Sequence, residues 1–138
     1  MQTENLKTHV LRLKPGEDLR GSIIAYVEKT GLQAAWIASC VGSLRSYGLR
    51  FANQNEPNRG TGFFEILGLT GTLSVHGSHI HAVISDDNGM TKGGHLVDGN
   101  LIYTTAEIVI CQTDQFIFKR QPDKITGYRE LQVLLGRE

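Results

Sequence analysis

Four of the five histidines in this 138-residue chain fall within "HGSHIHAVISDDNGMTKGGHL", from His76 to Leu96. Imidazole is the side chain most used to bind transition metals and to move protons near neutral pH. His79 and His81 form an H-x-H pair. On a strand, side chains alternate faces, so these two point the same way with Cβ atoms about 7 Å apart. Ile80, Ala82 and Ile84 then take the opposite face, which is the core face. The turn decides where His95 goes. "DDNG" suits a three-residue hairpin loop, Asp87-Asn88-Gly89, with Gly89 in the left-handed bulge position. Asp86 then faces Met90, and His81 lies directly across from His95, with opposed Cβ atoms about 5 Å apart. A two-residue Asn88-Gly89 loop would instead put His95 on the other face, and a bulge at Gly93-Gly94 would shift the register again. In the first register, His79, His81 and His95 converge as a three-nitrogen metal site. Zinc takes nitrogen at about 2.0–2.1 Å in a tetrahedral array; iron, nickel or cobalt would also accept three imidazoles. Three protein ligands leave a fourth position open, as in catalytic or ligand-binding zinc, whereas structural zinc is usually closed by four. Open zinc polarises a carbonyl or lowers the pKa of bound water, so a small-molecule ligand at the metal is expected. His76, set off by Gly77, is less constrained. His9 is remote and reads as structural or surface.

Two carboxylates are candidates for acid–base work beside such a metal. Glu65, in "GFFEILGL", shares a strand face with Phe63, Leu67 and Leu69. A carboxylate among such neighbours needs a partner or a raised pKa, and it could serve as a general acid or base. The structural alternatives are a strand end, an interface, or a salt bridge to Arg45 or Arg50. In "LIYTTAEIVI", Ile102, Ala106, Ile108 and Ile110 make an apolar face, and Tyr103, Thr105 and Glu107 a polar one. Matching polar to polar places the second set on the histidine face. There Glu107 could bind the metal or orient an imidazole, with Tyr103 and Thr105 as supporting partners. Other chemistry is excluded: "GSLRSYG" and "GLTGTLSVHG" lack the spacing of a phosphate loop or dinucleotide fingerprint, and no nucleophile elbow occurs. "RLK" and "FKR" are short basic pairs that read as solvated strand edges.

The elements that must carry these residues follow from periodicity. "NLKTHVLRLK" alternates as a strand. "PGEDLRGSIIAYVEKTGL" has Leu19, Ile23, Tyr26 and Val27 at helical spacing, Glu17 and Asp18 at the N-terminal end, and Gly31 as a C-terminal stop. "AAWIASCVGSL" reads as a buried strand and "SYGLRFA" as another. "NQNEPNRGTG" is an exposed loop. "FFEILGLTGTLSV", "HIHAVIS", "MTKGGHLV", "LIYTTAEIVIC" and "QFIFKR" are strands, and "DDNG", "DGN" and "QTD" are hairpin signals between them. The tail is strand-like from Tyr128 to Leu131. One early helix followed by short strands indicates a single α+β domain over 1–138, with a mostly antiparallel sheet flanked by one or two helices.

Fourteen basic and fourteen acidic residues cancel, so no overall basic surplus marks a nucleic-acid face. Cys40 and Cys111 sit in apolar runs and read as buried hydrophobes in a reducing, cytoplasmic setting. The first thirty residues lack a signal peptide's apolar region. No apolar run is long enough to span a membrane.

The succession "PGEDL", "GSL", "GFFEILGLTGTLS", "HIHAVISDDNGMTKGGHL", "GNLIYTTAEIVI" and "TGYREL" resembles the plants-and-prokaryotes-conserved (PPC) domain, in order over nearly the whole chain. The resemblance implies a compact, mostly antiparallel domain that assembles as a homotrimer and serves as a binding or regulatory module with protein partners. In plants the domain follows AT-hook segments that bind DNA; the Gly-Arg-Pro core is absent here, since "NRGTG" has no proline after its arginine. Prokaryotic members carry a DNA-binding label by association. The fold is also similar to that of acetolactate decarboxylase, whose zinc is held by an H-x-H pair and a later histidine, a pattern that His79, His81 and His95 fit. That likeness implies the alternative of a zinc-dependent enzyme acting on a small carbonyl or carboxylate compound.

Overall fold

The computed structural model describes residues 6–136. Strand β1 (Lys7–Leu13) leads into helix α1 (Leu19–Thr30), followed by β2 (Ala35–Arg50), β3 (Asn58–Leu73), β4 (His79–Ser85), β5 (Thr91–Leu96), β6 (Ile102–Gln112), β7 (Phe116–Pro122) and β8 (Arg129–Leu135). The helix starts where Asp18, in extended conformation, accepts the Gly21 N–H on its carboxylate at 2.8 Å. That bond satisfies a donor that the first helical turn leaves free. It ends at Gly31, whose left-handed φ of 68° costs a glycine little. Leu19, Ile23 and Val27 form its buried stripe, and Tyr26 packs at the margin.

Six strands form one sheet in the order β1-β6-β2-β3-β4-β5, and the far end of β2 returns to pair with β5. Every pairing is antiparallel. The segment β2-β3-β4-β5 therefore closes on itself, at Leu49↔Leu96 and Arg50↔His95. Register shifts at Leu44/Ser46 and Ile66/Gly68 bend the two long strands enough to allow this. Inside the curve lie Leu44, Leu49, Leu73, Ile80, Ile84, Ile102, Ile108 and Ile110, covered by the helix stripe. Asn100 fixes the closure. Its fully buried amide bonds both backbone groups of Gly48, at 3.1 Å each, and the Val97 carbonyl at 2.6 Å.

The α+β class, the single helix of the described residues and the strand identities agree with the sequence reading. Three placements do not. "AAWIASCVGSL" and "SYGLRFA" are one continuous strand, β2, because β3 pairs along both halves. The expected loop "NQNEPNRGTG" gives up Asn58 to Gly62 to β3, whose polar residues still find backbone partners on β2. "DGN" and "QTD" are not hairpin turns. β6 inserts between β1 and β2 rather than following β5, and β7 pairs with β8 as a separate two-stranded sheet. That outlying hairpin is tied back by the Phe118 N–H to the Gln33 carbonyl at 2.8 Å, by the Ser74 hydroxyl to the Phe118 carbonyl at 2.8 Å, and by Arg120 to Thr72 at 2.7 Å. Among the described residues no helix is long and apolar enough to cross a membrane.

Candidate metal centre

The β4–β5 hairpin turns through Asp87-Asn88-Gly89, with Gly89 at φ 77°. The Asp86 N–H bonds the Met90 carbonyl at 2.9 Å, and the Asp86 carboxylate accepts the Asn88 and Met90 N–H groups, both at 2.9 Å. Glycine takes this φ without strain, and the Asp86–Met90 bond closes the loop at three residues rather than two. The loop length in turn fixes the register: Ser85 faces Thr91, and His81 faces His95. Ile80, Ala82 and Ile84 point into the core, so His79 and His81 point out.

The three rings gather on this outer face. The Nε2 atoms of His79 and His81 are 2.9 Å apart. One nitrogen from each of His79, His81 and His95 lies within 4.8 Å of the others. Zinc about 2.0–2.1 Å from tetrahedral nitrogens spaces those nitrogens about 3.3 Å apart. That value falls between the His79–His81 separation and the limit of the cluster, so the trio fits such an ion.

Register places the neighbours. Thr70, His81, His95 and Arg50 face one another across β3, β4, β5 and β2, and Thr72 faces His79. Above them opens a groove of about 660 Å³, whose walls include Arg50, Phe51, Arg120, Tyr128, Arg129 and Glu130. Partial desolvation, then the nearby charge of Arg50, brings the His95 imidazole down to about 4. His79 is also lowered, by desolvation and then by His81 and Arg120, with Glu130 opposing. Both rings are thereby held neutral at pH 7, the state in which imidazole donates to a metal.

Glu65 and Glu107 are elsewhere. Glu65 is exposed and sits between Ser43 and Ser85. The bulge after Ile66 turns Leu69 into the core, so Leu69 does not share its face, and Phe63 and Leu67 beside it are 58% and 57% exposed. The ion pairs of the described residues join Lys7 to Asp114 and Arg20 to Asp98, and neither Arg45 nor Arg50 pairs with Glu65. Glu107 is exposed on β6, between Arg12 and Val41. Matching polar faces assumed that β6 lies beside β5. It pairs with β1 and β2 instead, and Glu107 is not brought to the histidines. Tyr103 stacks edge-on against Phe63 at 5.0 Å, and Thr105 accepts a bond from Arg12 at 3.3 Å. His76 lines the groove outside the trio. His9 is held by Tyr26 and Gln112. Sequence reasoning missed Arg50, Arg120, Arg129 and Glu130. The available signals were the "TGYREL" motif and the "FKR" triplet, the latter taken for a solvated edge. Cys40 and Cys111 are free thiols, and burial pushes Cys40 up to about 11.

The Plants and Prokaryotes Conserved (PCC) domain matches residues 1–114. Hairpin β7–β8 lies beyond that span. Two Synechococcus proteins, each named bifunctional protein GlmU, are 44% identical over 133 residues, or 96% of this chain. This chain spans only 21% of their length. A hypothetical protein of known structure from Salmonella is 40% identical, with a TM-score of 0.92 over 97% of both chains. A metal-containing protein from Archaeoglobus fulgidus is 27% identical, with a TM-score of 0.78 over 96% of this chain and 99% of that one.

Proposed function

This chain belongs to the Plants and Prokaryotes Conserved domain family, and on that premise we propose that it is a homotrimeric binding module built around an open metal site, with zinc held by His79, His81 and His95. The observation that carries this reading is the convergence of three imidazole nitrogens within 4.8 Å at the floor of a groove. The similarity to a metal-containing protein from Archaeoglobus fulgidus supports it. Zinc bound by three imidazoles would supply a Lewis-acidic position open to a ligand oxygen. The chain's own part is to keep His79 and His95 neutral, to hold His81 opposite His95 through the Gly89 turn, and to wall the open side.

Assembly is supported by an exposed apolar stripe on the outer sheet face. Val41, Phe63, Leu67, Val83 and Tyr103 are each 38–61% exposed, on four strands. Large apolar side chains exposed together on one sheet face favour a covering partner, and a second and third copy of this chain are the partners proposed. The free thiols of Cys40 and Cys111 fit a reducing cytoplasm.

A second reading, favoured by the groove beside an open coordination position, is a metal-dependent enzyme acting on a small carbonyl or carboxylate compound. DNA contact rests on family association and has a neutral chain against it. Cobalt loading with sedimentation tests the main reading. The expected result is one cobalt per chain, with the strong visible bands of a four-coordinate ion, in a particle of three chains. An octahedral spectrum or a monomer would contradict it, and retardation of duplex DNA at moderate salt would favour the DNA contact.

A further inference from the structure

Three guanidinium groups line the groove over the histidine trio, and none has a carboxylate partner among the described residues. Arg50 ends β2 directly across from His95. Arg120, on β7, reaches back to donate to the Thr72 hydroxyl at 2.7 Å, and Thr72 is the register partner of His79. Arg129 opens β8 and donates to the Arg120 carbonyl at 3.0 Å. None of the three joins the ion pairs of the described residues. The carboxylate in the same groove, Glu130, accepts a bond from the Thr126 hydroxyl at 2.9 Å. Phe51 and Tyr128 add aromatic surface to the walls.

Like charges gathered in one cleft repel, and the cleft focuses their field on whatever anion enters. A divalent ion on the three imidazoles would add to that field. The groove, at about 660 Å³, falls within the range of small-molecule sites, roughly 300–1,000 Å³. Guanidinium presents paired donors that match the oxygens of a carboxylate or phosphate.

We propose that this groove binds a small organic oxyanion, a carboxylate or a phosphate monoester. Arg50, Arg120 and Arg129 take the oxyanion, and Phe51 and Tyr128 pack against an apolar or aromatic body. The inference rests on the metal reading for one contact, the open coordination position, and names the ligand class of that site. Arg120 and Arg129 belong to a hairpin outside the family-matched span. Arg50 lies within that span, across from His95, so the ligand site joins the matched sheet to the outlying hairpin.

The test uses the ¹⁵N-labelled full chain, metal-free and zinc-loaded, titrated with benzoate, phenyl phosphate and uncharged benzamide. The amide signals of Gly93, Gly94 and Arg129 report binding, and zinc is counted on the same samples. Saturable shifts with benzoate or phenyl phosphate and none with benzamide are expected. The tighter of the two anions identifies carboxylates or phosphate monoesters as the source. Arg120→Gln should weaken that anion roughly tenfold or more, and Arg120→Lys, which keeps charge but loses the fork, should weaken it less. Zinc uptake of one per chain with no saturable anion binding, or with benzamide binding as tightly as benzoate, overturns this inference and leaves the metal reading standing. Anion binding without zinc uptake overturns the metal reading and supports the arginine site.

Discussion

His9 and the trio of His79, His81 and His95 are the same side chain on strands of one sheet, in opposite surroundings. His9, half-buried on β1, has both ring nitrogens engaged: Nδ1 meets the Tyr26 hydroxyl at 2.7 Å and Nε2 meets the Gln112 amide oxygen at 2.9 Å. Tyr26 also packs edge-on against its ring at 5.6 Å. Nothing is left to offer a ligand. In the trio the nitrogens turn toward one another. His79 and His81 are exposed, with their Nε2 atoms 2.9 Å apart, so the cluster is open to a shared ligand. Desolvation and the charge of Arg50 disfavour a proton on His95, which keeps its ring lone pair available to a ligand. Residue type therefore decides little; the partners within reach decide the role.

That contrast can be broken by substitution. The largest effect is expected from His81→Ala or His95→Ala, each losing zinc affinity by a hundredfold or more, read by competition with a chelating dye. Gly94→Ala comes next. Its Cβ would lie 2.6 Å from the Arg50 carbonyl, forcing β5 from β2 beside the trio. Overpacking of this kind costs about 1–3 kcal/mol in urea unfolding, and zinc uptake should weaken with it. His9→Ala sharpens the contrast from the other side. It should leave zinc uptake unchanged while costing about 1–2 kcal/mol of stability through two lost hydrogen bonds. The smallest effect belongs to Gly89→Ala, where φ 77° is held by the turn. About 1 kcal/mol is expected in thermal unfolding, and Gly89→Asn should cost less because asparagine tolerates that conformation.

The site was legible in the sequence as far as local geometry reached. His79 and His81 followed from strand alternation, and His95 from the choice of a three-residue turn that ends six residues earlier, at Gly89, over the two-residue alternative. The helix was legible for the same reason, since Asp18 and Gly31 bracket it. Reasoning from neighbours failed at β6. Glu107 was matched to the histidine face because "DGN" looks like a turn, but Asn100 spends its side chain closing β5 against β2, and β6 departs to lie between β1 and β2. Leu69 was wrongly placed on the face of Glu65, because the bulge at Ile66/Gly68 turns it into the core while Phe63 and Leu67 stay beside the carboxylate. Arg50 and the β7–β8 arginines reach the groove through closure of the sheet and a distant hairpin, contacts that no local pattern encodes.

Whether three histidines share one metal is decided by metal content, measured by elemental mass spectrometry on untagged protein, offered zinc and freed of excess, beside His81→Ala, His95→Ala and His9→Ala. One zinc per chain is expected in the wild type and in His9→Ala, and none in the other two, all folded by circular dichroism. No zinc in the wild type, or zinc retained when His81 and His95 are removed, would contradict it.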